Sequence, residues 1–507
     1  MNNHHRTCNS GAHRGLSARP LGHSAIVAAC AMLSCLAGCN VGPDYHAPPV
    51  RVPAEFKSAV TPTAPVSRLG ADWWKLFGDD GLTRLEESAL AASPTLQAAA
   101  ARVVEARAVA RSVKSQFYPV ITADPQATRS RSSGNLGRPA VTGNNFSIPF
   151  DLTYELDVWG RVRRSYENSQ ATAQAALDNY SVVVLTLTAD VAQDYYQLRG
   201  LEAQEAILEE SVKLYRDQLN LIDRQLKAGI ASTLDLEQTQ TLLSSALASK
   251  TDITRQRDDM EHAIAILTGR PPTDLSIARN PLLGAPPAVP PGLPADLLRR
   301  RPDVAAAEQN MVAANAAVGV AKANFYPVFQ LTGAAGFESI DVQHLVDWES
   351  RFWSLGPSVS IPIFEGGKLD ANLAQAKATF DEMNATYRGT VLTAIQDVED
   401  SLNDLHMRAI ASGQLKDTVD HAQKSLDLSV KLRNVGVDSS LQVIDADRTL
   451  LDNQLALVQT DTLRYVSTVL LIKAMGGGWE DAAGASATRP ATLPADPILL
   501  SATQPAK

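Results

Sequence analysis

The chain is written twice. Phe117-Tyr118-Pro119 returns as Phe325-Tyr326-Pro327 and Lys114 as Lys322, both 208 positions later. Farther along, Asp190-Val191 returns as Asp397-Val398, Leu198 as Leu405, Gly229 as Gly436 and Leu234 as Leu441, all 207 positions later. One residue is therefore gained or lost between Phe117 and Asp190. A register held over so much chain sets the architecture before any local propensity is weighed. Each half shows the same succession: helix, two alternating strands, a very long helix, a glycine turn and a second long helix. We therefore expect one α+β unit of two structural repeats, 73–280 and 281–479, within the 507 residues. That order suits a tubular assembly better than an enzyme pocket.

Proline usage shows where the long helices can run. No proline occurs from Asp151 to Arg270 or from Ile363 to Arg489, and a proline costs a helix interior about 3 kcal/mol. A helix from Gly160 to Lys227, matched by one from Gly367 to Arg433, would be about 100 Å long. Neither stretch has the continuous apolar run of a membrane span, so both read as amphipathic rods in water.

Four segments carry the opposite period. From Asn145 to Val158 the even positions are Phe146, Ile148, Phe150, Leu152, Tyr154, Leu156 and Val158, and every odd position is polar or proline. Weaker alternation places strands around Ile121–Thr128, Phe329–Glu338 and Trp353–Ile361. A half-buried soluble sheet would alternate in the same way, but such length suits a membrane barrel. Four strands cannot close a barrel, and lipid tolerates no open sheet edge. The chain must then share its barrel with copies of itself. Two copies would give eight strands, whose interior side chains fill, so a conduit needs at least a homotrimer.

The N-terminus reads as an address rather than as structure. Arg6, Arg14 and Arg19 precede an apolar run from Ala25 to Leu36, followed by Leu36-Ala37-Gly38-Cys39. That tetrapeptide resembles a bacterial lipobox, which makes 1–38 a lipoprotein signal peptide and Cys39 the lipidated residue. Asn40, where aspartate would retain the protein at the inner membrane, favours the outer membrane. Residues 39–72 are proline-rich and read as an acylated tether; residues 480–507 read as a disordered tail. Cys8, Cys30 and Cys35 all precede Cys39, so cleavage there leaves no intramolecular disulfide. With 46 basic and 55 acidic residues, the net charge of −9 disfavours a nucleic-acid partner. The histidines match no metal-ligand spacing, and no GxSxG, HExxH or phosphate-loop pattern appears. We expect neither an enzyme nor a cofactor beyond the lipid on Cys39.

With these elements placed, the chain resembles the outer-membrane factors of the TolC/OprM family, in their NodT-like lipoprotein branch. The matching motifs are Leu36–Cys39, Trp73-Trp74, Tyr154–Arg161, Arg300-Arg301-Pro302-Asp303-Val304, Pro362–Lys368 and Gly476–Trp479. The resemblance implies a trimer with a twelve-stranded barrel in the outer membrane and a long periplasmic α-barrel. It also implies passive, gated export of drugs or other small toxic compounds, with a periplasmic adaptor and an inner-membrane, proton-driven pump as partners. The exit duct of a type I protein-secretion system is the alternative within transport. A pore-free periplasmic coiled-coil scaffold is the alternative outside it.

Gly229 and Gly436 sit where long helices turn back, and glycine suits such ends. The resemblance makes these tips, with Ile230 and Val437, the adaptor contacts. Leu441 and Asp445, four apart, share one helix face; the resemblance places the periplasmic gate there. TolC carries acids at the positions matching both Gln442 and Asp445, so one acidic ring is missing here. A solvated Asp445 paired with Arg448 is the bland alternative. Asp235 matches an acid that locks one hairpin to the other; its basic partner would fall at Asp438, so Arg433 is the substitute we expect.

Overall fold

The computed structural model describes residues 40–58, 70–135, 137–282, 284–289, 300–437 and 440–478. The signal segment, Cys39, Asp438 and the tail lie outside them. The helices are α1 (Asp80–Ala92), α2 (Pro94–Lys114), α3 (Arg161–Lys227), α4 (Thr233–Leu267), α5 (Pro302–Ala323), α6 (Lys368–Asn434) and α7 (Ser440–Ala474). The strands are β1 (Val120–Ala123), β2 (Gln126–Arg131), β3 (Thr142–Leu156), β4 (Val328–Ser339) and β5 (Arg351–Ser360). Helices α3 and α6 have 67 residues each, and α4 and α7 have 35 each. Each boundary of the later pair falls 207 positions after its counterpart. The first strands begin 208 apart, so the extra residue lies between Val120 and Arg161.

Contacts divide the chain across its repeats. One unit gathers the strands of both, in Gln116–Arg164 and Gly319–Leu369 together with residues 40–42; the other gathers the helices.

In the strand unit the order is β1/β2, β3, β4, β5, all antiparallel. The first expected strand is split into β1 and β2, yet its register is unbroken: Ala123 faces Phe150 and Gln126 faces Ser147. The gap is Asp124-Pro125, and Pro149 lies in the facing stretch of β3. Proline has no N–H to donate, so the ladder opens where the two prolines meet. At the other end of β3, the Tyr154–Arg161 motif makes the strand-to-helix junction. Arg161 donates to both Glu155 oxygens at 2.8 and 2.6 Å. Asp157 accepts from the backbone N–H groups of Val162 and Arg163 at 3.0 and 2.9 Å, capping α3. Trp159 stacks on Tyr326 and donates its indole N–H to the Pro327 carbonyl at 2.9 Å.

The helical unit is cored by Trp73 and Trp74 with Leu82, Val103, Tyr195, Tyr196, Tyr465 and Ile472. Arg199 and Arg257 are buried in it, both on the Glu202 carboxylate; they also donate to the carbonyls of Ala278 and Ile277, each at 2.7 Å. The Arg300–Val304 motif has its own brace: Arg301 donates to Asp397 at 2.9 Å, to Asp303 at 2.7 Å and to the Ala474 carbonyl at 3.1 Å. Gly200 lets α3 meet α7, since a Cβ there would overlap Thr462. Among the described residues one helix, from Leu441 to Ala474, is long and apolar enough to cross a membrane. Its C-terminal part instead supplies Val469, Leu471 and Ile472 to the core. The expected tether is extended, but it is laid down rather than free: Phe56 is buried with Val398, Tyr45 donates to Glu308, and the Glu399 carboxylate accepts from Lys57 and Ser58 N–H.

Glu86 on α1 is fully buried, and neither carboxylate oxygen has a hydrogen-bond partner among the described residues. Burial pushes its carboxyl up from 4.5 to about 9, so it is neutral in the folded state at physiological pH. The unfolded chain ionises it, so its contribution to stability is fully present below the unfolded value. That contribution declines by up to about 1.4 kcal/mol per pH unit as pH rises toward the folded value. Glu86→Gln should flatten this dependence and raise the midpoint of thermal unfolding above wild type at about pH 8 but not at about pH 5. Equal pH slopes for the two proteins would refute the assignment.

Candidate functional site

The two turned-back ends of the long helices are built alike. In the first, Gly229 takes φ 73°, its N–H donates to the Leu226 carbonyl at 2.9 Å, and Ile230 N–H donates to Gln225 at 2.8 Å. In the second, Gly436 takes φ 78°, its N–H donates to Arg433 at 3.0 Å, and Val437 N–H donates to Leu432 at 2.9 Å. This is the double carbonyl closure that a left-handed glycine permits at a helix C-terminus. It recurs 207 positions on, atom for atom. A Cβ at either glycine would meet nothing, so only the backbone angle demands glycine there. The residues just past the closures are apolar and open to solvent: Ile230 is 77% exposed and Val437 72%.

From the second tip, α7 leaves with two distinct faces. Val443, Ile444, Asp447 and Leu450 are buried, whereas Leu441 and Asp445 are exposed together, one turn apart. Asp445 also borders a groove between α6 and α7 lined by Ser425, Ser429, Gln442 and Thr449. Of the bland alternative, the solvated Asp445 is present, but its pairing with Arg448 is absent among the described residues; Arg448 reaches Asp452 at 3.9 Å, an exposed pair of little energetic consequence. At the equivalent first-repeat positions stand Leu234 and Gln238. The first tip thus repeats the leucine without the acid.

The expected lock between Asp235 and Arg433 is not made either. The Asp235 carboxylate accepts from Ser232 Oγ at 2.7 Å and from Ser232 N–H at 3.0 Å, while its own N–H donates to Ser232 Oγ at 3.2 Å. It is committed to the reciprocal cap of α4. Those bonds hold its pKa below the ordinary carboxylate value, with Arg433 acting only weakly through its field. A serine three residues before an acid was the signal for this cap.

A contact between the two hairpins was missed in the sequence. Tyr215 of α3 is buried with Val212, Leu243 and Ala246, and the Asp447 carboxylate of α7 lies near its hydroxyl. Burial first, then the Asp447 charge, raises the Tyr215 pKa; burial likewise raises that of Asp447. The second Asp447 oxygen is buried without a partner among the described residues. The pair occurs once per chain, because the equivalents are Ala422 and Gln240. That break in the repeat was the available clue.

None of these groups converges on a reacting centre, and no acid, histidine or cysteine cluster among the described residues could hold a metal ion. The model for the outer membrane efflux protein family matches residues 85–270 and again 293–477, once per repeat. The antibiotic efflux pump outer membrane protein ArpC of Pseudomonas putida is 33% identical over 460 residues, covering 89% of this chain and 94% of its own. Outer membrane protein OprJ of Pseudomonas aeruginosa is 30% identical, covering 88% and 94%. The solved outer-membrane channel OprN superposes with a TM-score of 0.83 at 30% identity, covering 87% of this chain and all of that one. The chain belongs to the outer membrane efflux protein family, and its work is transport through a channel of the outer membrane.

Proposed function

We propose that three copies of this chain join into a twelve-stranded barrel that is the exit duct of a tripartite pump, lipid-anchored through Cys39. The observation that carries this reading is the four-strand ladder with one apolar face, one polar face and two unpaired edges, β1/β2 and β5. Hydrocarbon supplies no partner for those edges, and three ladders leave a lumen that two would fill. The names of the relatives, an antibiotic efflux pump and several toluene efflux pumps, support small toxic compounds as cargo. An adaptor at the Gly229–Ile230 and Gly436–Val437 tips and a proton-driven inner-membrane pump complete the path.

In such a trimer the open face of α7 turns toward the axis. Three leucines then form an apolar constriction, and three aspartates one turn on form a ring selective for cations. Leu441→Ala with Asp445→Ala should raise single-channel conductance at least about twofold and reduce cation preference. Leu234→Ala with Gln238→Ala, at the equivalent turn of the first repeat, should change neither. Opening by the second pair alone would move the gate to the first tip.

At the tips, Gly436→Trp should lower pump-dependent resistance while copy number stays at three. The change forces a side chain into positive φ at a cost of roughly 1–2 kcal/mol, which a trimer tolerates. Loss of assembly in step with resistance would return Gly436 to a purely structural role. At the N-terminus, Cys39→Ser should abolish acyl labelling and slow precursor processing, while the strands still insert. A wild-type protein cleaved normally but carrying no acyl group would exclude the lipid anchor.

A further inference from the structure

The charges of the strand ladder are sorted by face. Residues opposite one another across an antiparallel register share a face, so each face can be followed from strand to strand. One face carries Ile121, Phe146, Phe150, Leu331, Leu355 and Val359 among its apolar residues. The acids of the strands, Asp151, Glu155 and Glu338, all fall on the other face, where Glu338 accepts from Asn145 at 2.8 Å. The apolar face holds three charges, and all are arginines: Arg129 opposite Asn144, Arg131 opposite Thr142, and Arg351 opposite Phe337.

All three lie at the end of the ladder that carries the two hairpin connections, away from the ends that lead into α3 and α6. They are exposed, and neither the Arg129 nor the Arg131 side chain makes a hydrogen bond or ion pair among the described residues. Arg351 is held by the local fold: its Nε donates to the Trp348 carbonyl at 2.8 Å and its guanidinium lies over the Trp348 ring. Trp353 is the next residue inward on the same face and is 81% exposed. Tryptophan marks the level where hydrocarbon gives way to headgroups. Arginines just beyond it, on the lipid side, stand at headgroup height on the side away from the periplasm.

We propose that these arginines bind the phosphate groups of the phosphorylated glycolipid of the outer leaflet. A guanidinium stays charged at every physiological pH and matches phosphate oxygens in a two-pronged fork. The inference rests on the ring of copies proposed above. Arg129 and Arg131 stand on one edge of the ladder and Arg351 on the other, so edge-to-edge joining gathers all three at each seam. Three like charges repel unless an anion sits among them. The glycolipid that fills this position also lays its acyl chains along the apolar strand face, which a free phosphate ion cannot do.

The test uses the full-length channel purified in a neutral detergent, with lipopolysaccharide as probe and native mass spectrometry or titration as readout. Wild type should bind lipopolysaccharide at least about tenfold more tightly than the same glycolipid stripped of its phosphates, since each basic group at an anionic lipid surface contributes about fivefold. Millimolar inorganic phosphate should not displace it. The combined Arg129→Gln, Arg131→Gln and Arg351→Gln variant should lose the discrimination, and Arg351→Gln alone should lose part of it. Equal affinity of wild type for the two glycolipids overturns the proposal without any variant, as does discrimination that survives the triple change. Full displacement by inorganic phosphate overturns the lipid assignment. Light scattering on the same samples reports copy number, so failure of the ring registers separately from loss of lipid at an intact seam.

Discussion

Everything in this chain that concerns the membrane follows from unsatisfied backbone at two strand edges. A ladder of four strands ends in a row of N–H and C=O groups on β1/β2 and another on β5. In water such edges invite aggregation; in hydrocarbon each unpaired group costs several kcal/mol. The same ladder gathers most of its apolar residues on one face and its acids on the other, which suits lipid on one side and water on the other. One copy satisfies neither demand alone. In the ring of copies proposed above, the fold is a fragment of a larger closed object, and duplication within the chain supplies two hairpins of that object rather than one.

The helices obey a different constraint. Sixty-seven residues without proline or an internal break require partners along their length, because helical propensity alone does not hold so long a rod. The contacts are built from small and aromatic residues: Gly200 against Thr462, and Tyr196 against Tyr465 with ring centroids 4.7 Å apart. Buried arginines on carbonyls and carboxylates fix where the chain enters and leaves the bundle. Removing one partner of such a group costs more than the bond itself contributes, because the other charge is left buried.

Much of this was legible in the residues. The 207-residue register and the proline-free stretches anticipate the lengths of α3 and α6, because helix ends are marked by glycine and interiors exclude proline. The alternation of Asn145–Val158 anticipates β3 for the same kind of reason. Two local rules present in the sequence were passed over. Ser232-Thr233-Leu234-Asp235 spells a reciprocal cap, and Pro125 forbids a continuous first strand. What no local pattern carries is the meeting of distant side chains. Glu86 looks like an exposed helix acid until α1 is packed, and Phe56 looks like part of a free tether until it finds Val398. The Tyr215–Asp447 contact brings together residues 232 positions apart, and only a comparison of the repeats hints at it.

Under the gate proposed above, that comparison also accounts for a gate in the second repeat and not in the first. The backbones of the two tips are superimposable in hydrogen bonding, down to the glycine closures, so backbone geometry cannot distinguish them. Among the side chains that differ, three bear on this face of α7. Gln238 becomes Asp445, Gln240 becomes Asp447, and Ala422 has Tyr215 as its counterpart. Asp447 is buried beside Tyr215 of the first hairpin; Asp445, two residues before it, is exposed. A helix turns by about 100° per residue, so two adjacent acids two apart point to nearly opposite sides. One acid is therefore packed toward α3 while the other stays exposed, free to face the axis in the proposed ring. In the gate proposed above, pulling α7 outward would part Asp447 from Tyr215 as it carries Asp445 away, which would couple the position of the gate face to a buried contact within the chain.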